Sequence, residues 1–124
     1  NGENILVVED EQPVLNYLEN IFNNFGYNYL SSRSAEEALQ IFKRNKNNID
    51  LLLSDVIMTG MNGVELAIKL KKEKRDLEII LSSGYSEKKI SKAEIVEKGF
   101  KFIQKPYDIL KLLKVIHSTL SDHY

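Results

Sequence analysis

Five residues of this chain have the types and the placement to do chemistry together: Glu9, Asp10, Asp55, Ser83 and Lys105. They stand at the ends of short apolar runs: Val7-Val8 before Glu9-Asp10, Leu51-Leu52-Leu53-Ser54 before Asp55, Ile79 to Ser82 before Ser83, and Phe102-Ile103-Gln104 before Lys105. If those runs are neighbouring strands, three carboxylates, a hydroxyl and an ammonium converge on one edge. Carboxylates gathered in this way repel one another unless a cation sits among them. The ligands on offer are all oxygen and cysteine is absent. That donor set favours a hard ion such as Mg2+, which keeps several waters and accepts one or two carboxylates. Plainer readings exist for each residue alone: acids at the positive end of a helix, a turn aspartate, a solvated lysine. All of them together, each at a strand end, outweigh those readings.

The elements that must position these residues alternate in period. Asn4 to Val8 is a short apolar run suited to a strand buried on both faces. From Pro13, the apolar residues Val14, Leu18, Ile21, Phe22 and Phe25 fall at helical intervals, and Gly26 is a natural stop. Tyr27 to Ser31 reads as a second strand. Ser34-Ala35-Glu36-Glu37 matches a capping box, with Ala35, Ala38, Leu39 and Phe42 on one helical face. Leu51 to Ser54 is a third strand, followed by a loop from Asp55 to Gly63. A helix from about Val64 to Lys74 carries Val64, Ala67 and Ile68, with Leu66 and Leu70 beside them. Glu78 to Ser82 is a fourth strand, and Ser86 caps a weaker helix ending by Gly99. Phe100 to Gln104 is a fifth strand, and Pro106 precedes a last helix carrying Ile109, Leu113, Ile116 and Leu120. Strict strand–helix alternation implies an α/β fold, a doubly wound parallel sheet of five strands with helices on both faces. Five strands are too few for an eight-stranded barrel.

A length of 124 residues fits one domain, and no linker or low-complexity block interrupts residues 1–124. The composition, 43% hydrophobic and 28% charged, is that of a globular chain with a real core. Seventeen Lys and Arg against eighteen Asp and Glu give a net charge of -1, which argues against direct nucleic-acid binding by the whole domain. Without cysteine there is no disulfide framework, thiolate nucleophile or Cys-bearing zinc site. The longest apolar runs are far short of the ~20 residues a membrane span needs, and no secretory signal is visible. The expectation is a cytoplasmic domain without membrane insertion, cut from something longer. Residues 1–3 are expected to be disordered or left from cloning. His117 and His123 have no acidic or Cys company and are read as surface residues.

Four phrases carry a resemblance that covers nearly the whole chain: Val7-Val8-Glu9-Asp10-Glu11, Leu53-Ser54-Asp55-Val56-Ile57-Met58 through Gly63, Leu81-Ser82-Ser83-Gly84-Tyr85, and Phe102-Ile103-Gln104-Lys105-Pro106-Tyr107. In that order the sequence resembles the receiver domain of two-component response regulators. The resemblance implies the flavodoxin-like strand order 2-1-3-4-5. It implies that Asp55 accepts a phosphoryl group from a phosphohistidine on a histidine kinase or histidine phosphotransfer protein. Mg2+ would be held by Asp10, by Asp55, by the backbone carbonyl of Ile57 and, through water, by Glu9. Ser83 and Lys105 would contact the phosphoryl oxygens, and the Lys105–Pro106 bond would be cis. Ser83 and Phe102 would form the switch. The surface it alters includes Lys88, Lys89, Lys92, Lys101, Lys111 and Lys114, which would suit an acidic partner. A phosphorylation-dependent dimer is one further option.

The sequence departs from the family pattern in places. Thr59 stands where a proline is common, four residues after Asp55. Ile57 and Tyr85 occupy positions that tune phosphate lifetime, and their bulk is expected to hinder an attacking water. Ser82, adjacent to Ser83, competes for the role of inward hydroxyl. Such a domain would catalyse only its own phosphotransfer and dephosphorylation, so it is not read as an enzyme in its own right. The phrases around Ser83 and Lys105 look most like receivers fused to sensor histidine kinases, which suggests a hybrid kinase as parent. Two other functions stay open. A haloacid-dehalogenase-type aspartyl phosphatase also uses Asp, Mg2+, a hydroxyl and a lysine, but wants a second acid where Ile57 stands. A degenerate receiver would act only as an interaction module.

Overall fold

The computed structural model describes residues 4–84 and 92–121. Strands β1 (Asn4–Val8), β2 (Asn28–Ser32), β3 (Leu51–Asp55), β4 (Glu78–Ser83) and β5 (Lys101–Gln104) form one parallel sheet. Their order is β2-β1-β3-β4-β5, as the family resemblance implies. Helices α1 (Gln12–Asn24), α2 (Ala35–Asn45), α3 (Gly63–Glu73), α4 (Lys92–Glu97) and α5 (Ile109–Ser121) connect them, with a 3-10 turn at Lys46–Asn48. Residues 1–3, Tyr85, Ser86, Lys88, Lys89 and His123, and the side chain of Lys92, lie outside what is described.

Both faces of the sheet are covered, which is why the strands read as continuous apolar runs. Leu6, Val8, Leu52, Val56, Ile79 and Leu81 pack toward Phe42 of α2, Leu66 and Leu70 of α3 and Ile95 of α4. The alternate residues Ile5, Val7, Leu51, Leu53, Ile80 and Ile103 pack toward Phe22 of α1 and Ile116 of α5. From β1 the chain moves outward to β2 and then crosses back to β3, so the strand order reverses between β1 and β3. A crevice at the carboxyl ends of these strands follows from that reversal.

Local signals set the helix ends. Gly26 has φ +76°, and the Tyr27 N–H donates to the Phe22 carbonyl at 2.9 Å, closing α1 with the hydrogen bond of a Schellman motif. Phe25 therefore leaves the helical face and is exposed, while Leu15 is buried in its stead. At α2 the Ser34 hydroxyl accepts from the Glu37 N–H, but the Glu37 carboxylate accepts from the N–H of Arg33, one residue before the expected partner. The reciprocal capping box appears instead at α3, between Asn62 and Glu65. That helix buries Leu66, Ala67 and Leu70, with Val64 and Ile68 only half-buried. In α5 the buried stripe is Leu112, Ile116, Thr119 and Leu120, while Ile109 is exposed and Leu113 half-buried.

Candidate functional site

Each acid is placed by backbone bonds at the strand ends. The Glu9 N–H donates to the Ser32 carbonyl at 3.1 Å, which fixes the residue after β1 against the end of β2. Asp55 is the last residue of β3, opposite Ser82 of β4, and the Val56 N–H donates to the Ser82 carbonyl at 2.8 Å. The Asp55 carbonyl accepts the Ser54 hydroxyl at 2.9 Å. Gly63 passes so close that a Cβ there would sit 2.2 Å from the Asp55 carbonyl oxygen, so only glycine lets α3 begin at this point. The Lys105 N–H donates to the Ser83 carbonyl at 2.9 Å, and the Lys105–Pro106 peptide is cis, as expected.

The side chains converge. The Lys105 ammonium lies 2.8 Å from Glu9 Oε1 and 3.2 Å from Asp55 Oδ2. Glu9 is fully buried, Asp55 nearly so and Asp10 half-buried. Glu9 Oε2 also accepts the N–H of Glu11 at 3.1 Å. One carboxylate oxygen from each of Glu9, Asp10 and Asp55 lies within 4.8 Å of the other two. At an effective dielectric of about 20, two such charges at 4.8 Å repel by roughly 3–4 kcal/mol. A single ammonium offsets only one of the three negative charges. The donor set, oxygen only and still negative in sum, fits a hard divalent cation such as Mg2+.

Burial is the largest single influence on the proton affinities of Glu9 and Lys105. It pushes the Glu9 carboxyl above its ordinary range, although the Lys105 ammonium and the Glu11 N–H pull the other way. For Lys105 burial alone would lower the pKa. The hydrogen bond to Glu9 and the charges of Asp55 and Glu9 outweigh it and hold the amine well above its usual value. The amine is therefore a fixed positive charge.

Of the residues singled out from the sequence, Glu9, Asp10, Asp55 and Lys105 are brought together. Ser83 ends β4, buried, with its carbonyl on Lys105. Phe102 is half-buried against the α2/α3 side of the sheet, in register with Leu81, so strand alternation places it on the same face as Ser83. Ile57 lies in the turn after β3, its side chain half-buried on that side too. Lys101, Lys111, Lys114 and His117 are exposed. The two adjacent serines differ in a contact that sequence patterns did not reveal. The Ser82 hydroxyl is bonded to the Tyr107 hydroxyl at 2.7 Å in a buried pair. Arg33 was also missed: its guanidinium donates to the Asp10 carbonyl at 3.0 Å. Glu37 at N3 of α2 holds the Arg33 N–H, the one local sign that this residue is fixed.

No helix among the described residues is long and apolar enough to cross a membrane. Residues 5–117 match the family model described as "Response regulator receiver domain". The chain is 31% identical over 114 residues to the Two-component response regulator ARR12 of Arabidopsis thaliana, spanning 92% of this chain and 19% of that protein. It is 30% identical over 116 residues to the Sensor kinase CckA of Brucella abortus, spanning 94% of this chain and 12% of that protein. The chain thus spans about a fifth or less of the length of these two relatives. Among solved structures, a response regulator receiver domain protein from Clostridium thermocellum superposes with a TM-score of 0.87 at 25% identity, covering 97% of this chain and 95% of the other.

Proposed function

The chain belongs to the response regulator receiver domain family, and from that premise we propose that it takes a phosphoryl group onto Asp55 from a phosphohistidine. The carrying observation is the Lys105 ammonium held between Glu9 and Asp55, at 2.8 and 3.2 Å, beside a third carboxylate. A carboxylate oxygen of Asp55 attacks phosphorus and a P–O bond forms. The P–N bond breaks, and the donor imidazole keeps the electron pair and takes a proton. Transfer of this kind is promoted by positioning and charge more than by covalent help. Lys105 would neutralise the incoming oxygens, and Ser83 would donate its hydroxyl to one of them. Mg2+, held by Asp10, Asp55, the Ile57 carbonyl and, through water, Glu9, would supply further neutralisation of phosphoryl charge.

Ser83 and Phe102 share a face of the sheet, which supports reading them as the switch. Phe102 also borders a surface cleft with Lys111 and Lys114, so a shift of its ring would alter a basic surface suited to an acidic partner. The donor would be a histidine kinase or a histidine phosphotransfer protein. The relative named as a sensor kinase favours a hybrid kinase as the parent chain, and a cytoplasmic setting would follow from such a partner. No direct contact with nucleic acid is assigned to this domain.

Incubation with acetyl phosphate and Mg2+, followed by intact mass measurement, tests the proposal. The wild type is expected to gain one phosphoryl group, and Asp55→Asn or a chelator to abolish the gain. Equal labelling of Asp55→Asn, or an unlabelled wild type, would overturn the assignment.

A further inference from the structure

Lys105 has to keep its ammonium between two carboxylates while one side of it is open. It lines a groove of about 670 Å3 in which Pro13, Val14 and Tyr17 of α1 face Pro106 and Tyr107. The stem is flexible, so where its ammonium can reach the two carboxylates depends on the placement of the backbone that carries it. That backbone is tied to β4 at two successive residues. The Lys105 N–H donates to the Ser83 carbonyl, and two residues later the Tyr107 side chain turns into the α1/α5 side of the core and bonds Ser82. Ser82 is itself in register with Asp55, and its carbonyl accepts the Val56 N–H at 2.8 Å. One hydroxyl pair thus links the segment bearing the amine to the residue of β4 that pairs with Asp55.

We propose that the buried Tyr107–Ser82 hydroxyl pair is a positioning element that holds the Lys105 ammonium over Asp55. The inference rests on the phosphoryl-accepting reading above for its kinetic consequence only. Its geometric content stands without that reading. A phenylalanine at position 107 fills the same space and a small residue at 82 leaves the strand intact, so packing alone does not call for two hydroxyls 25 residues apart. Burial also pushes the phenol pKa up, which keeps the pair neutral and the bond intact across the working pH range.

The test compares wild type, Tyr107→Phe, Ser82→Ala and the double variant with two readouts. The first is the nitrogen-15 signal of the Lys105 ammonium, assigned by its loss in Lys105→Met, whose slow proton exchange reports confinement between the carboxylates. The second is the rate of phosphorylation by acetyl phosphate with Mg2+. Each single variant is expected to speed ammonium exchange and to slow phosphorylation on the order of 10-fold, since small misplacements of a charge-stabilising group are costly. The double variant should be no worse than the poorer single one, because both changes break one bond. An unchanged ammonium signal in either single variant overturns the proposal, as does slower phosphorylation without a change in that signal. Fully additive effects in the double variant would also overturn it. If wild type shows the confined ammonium but takes no phosphoryl group, the functional reading fails and the positioning role is judged on the first readout.

Discussion

Removal of the Lys105 charge gives the most direct measure of how the acids are held. Lys105→Met keeps an unbranched stem and deletes the ammonium. At an effective dielectric of about 20, contacts of 2.8 and 3.2 Å correspond to about 6 and about 5 kcal/mol of gross attraction. Most of that is offset by the cost of drying the charges. The net cost of leaving buried carboxylates without their partner is about 3–5 kcal/mol. That figure applies where both acids stay ionised. Glu9 already has a raised pKa through burial, and without the ammonium it rises further. A carboxyl raised in the folded state contributes stability fully below its unfolded pKa and loses it as pH climbs through its folded pKa. The variant therefore recovers stability as the pH falls through the raised folded pKa of Glu9 towards its unfolded one, with a slope of up to about 1.4 kcal/mol per pH unit per proton. Lys105 of the wild type stays charged in both states over this window, so the wild type shows only the shallower slope of Glu9 itself. Urea unfolding at several pH values in the presence of a chelator measures both curves. Lys105→Met with Glu9→Gln should lose the part of that slope that Glu9 carries. A double variant that keeps the slope would assign the proton elsewhere and refute the role given to Glu9, and an undiminished stability of Lys105→Met at the alkaline end of the series would refute the electrostatic account as a whole.

Two further substitutions test the packing. Gly63→Ala places a methyl group 2.2 Å from a backbone oxygen of Asp55, so the loop must shift; about 3 kcal/mol should be lost. Urea unfolding checks the loss, and an unchanged midpoint would mean the approach is not as tight as described. Thr119 buries a hydroxyl that finds no hydrogen-bond partner among the described residues, an arrangement that costs stability. Thr119→Val keeps the branched shape without the hydroxyl and should gain about 1 kcal/mol, read as a higher melting temperature; a lower one would show that the hydroxyl is satisfied after all.

The strand ends were legible in the sequence because parallel strands covered on both faces leave uninterrupted apolar runs, and polar residues mark where they stop. That logic located Glu9, Asp55 and Lys105, and topology alone then brings an amine to two acids. The orientation of the helices was less legible for a definite reason. In α3, Val64, Leu66, Ala67, Ile68 and Leu70 are all apolar, a stripe so wide that period alone does not say which side faces the sheet. The entry of the chain decides it: the Asn62–Glu65 capping box and the approach of Gly63 to Asp55 set the first turn, which turns Leu66 and Leu70 inward. At α1 the left-handed Gly26 brings Tyr27 edge-on to Phe22, with ring centroids 6.2 Å apart, and Phe25 is left outside. The adjacent serines were ambiguous because strand alternation separates their faces but does not say which face a phenol 25 residues away will fill. In each case the missing information lay in a particular contact that periodicity does not encode. Two of those contacts, Gly63 on the Asp55 carbonyl and Tyr107 on Ser82, lie around the same residue, Asp55. What local patterns failed to reveal is thus the backbone geometry around Asp55.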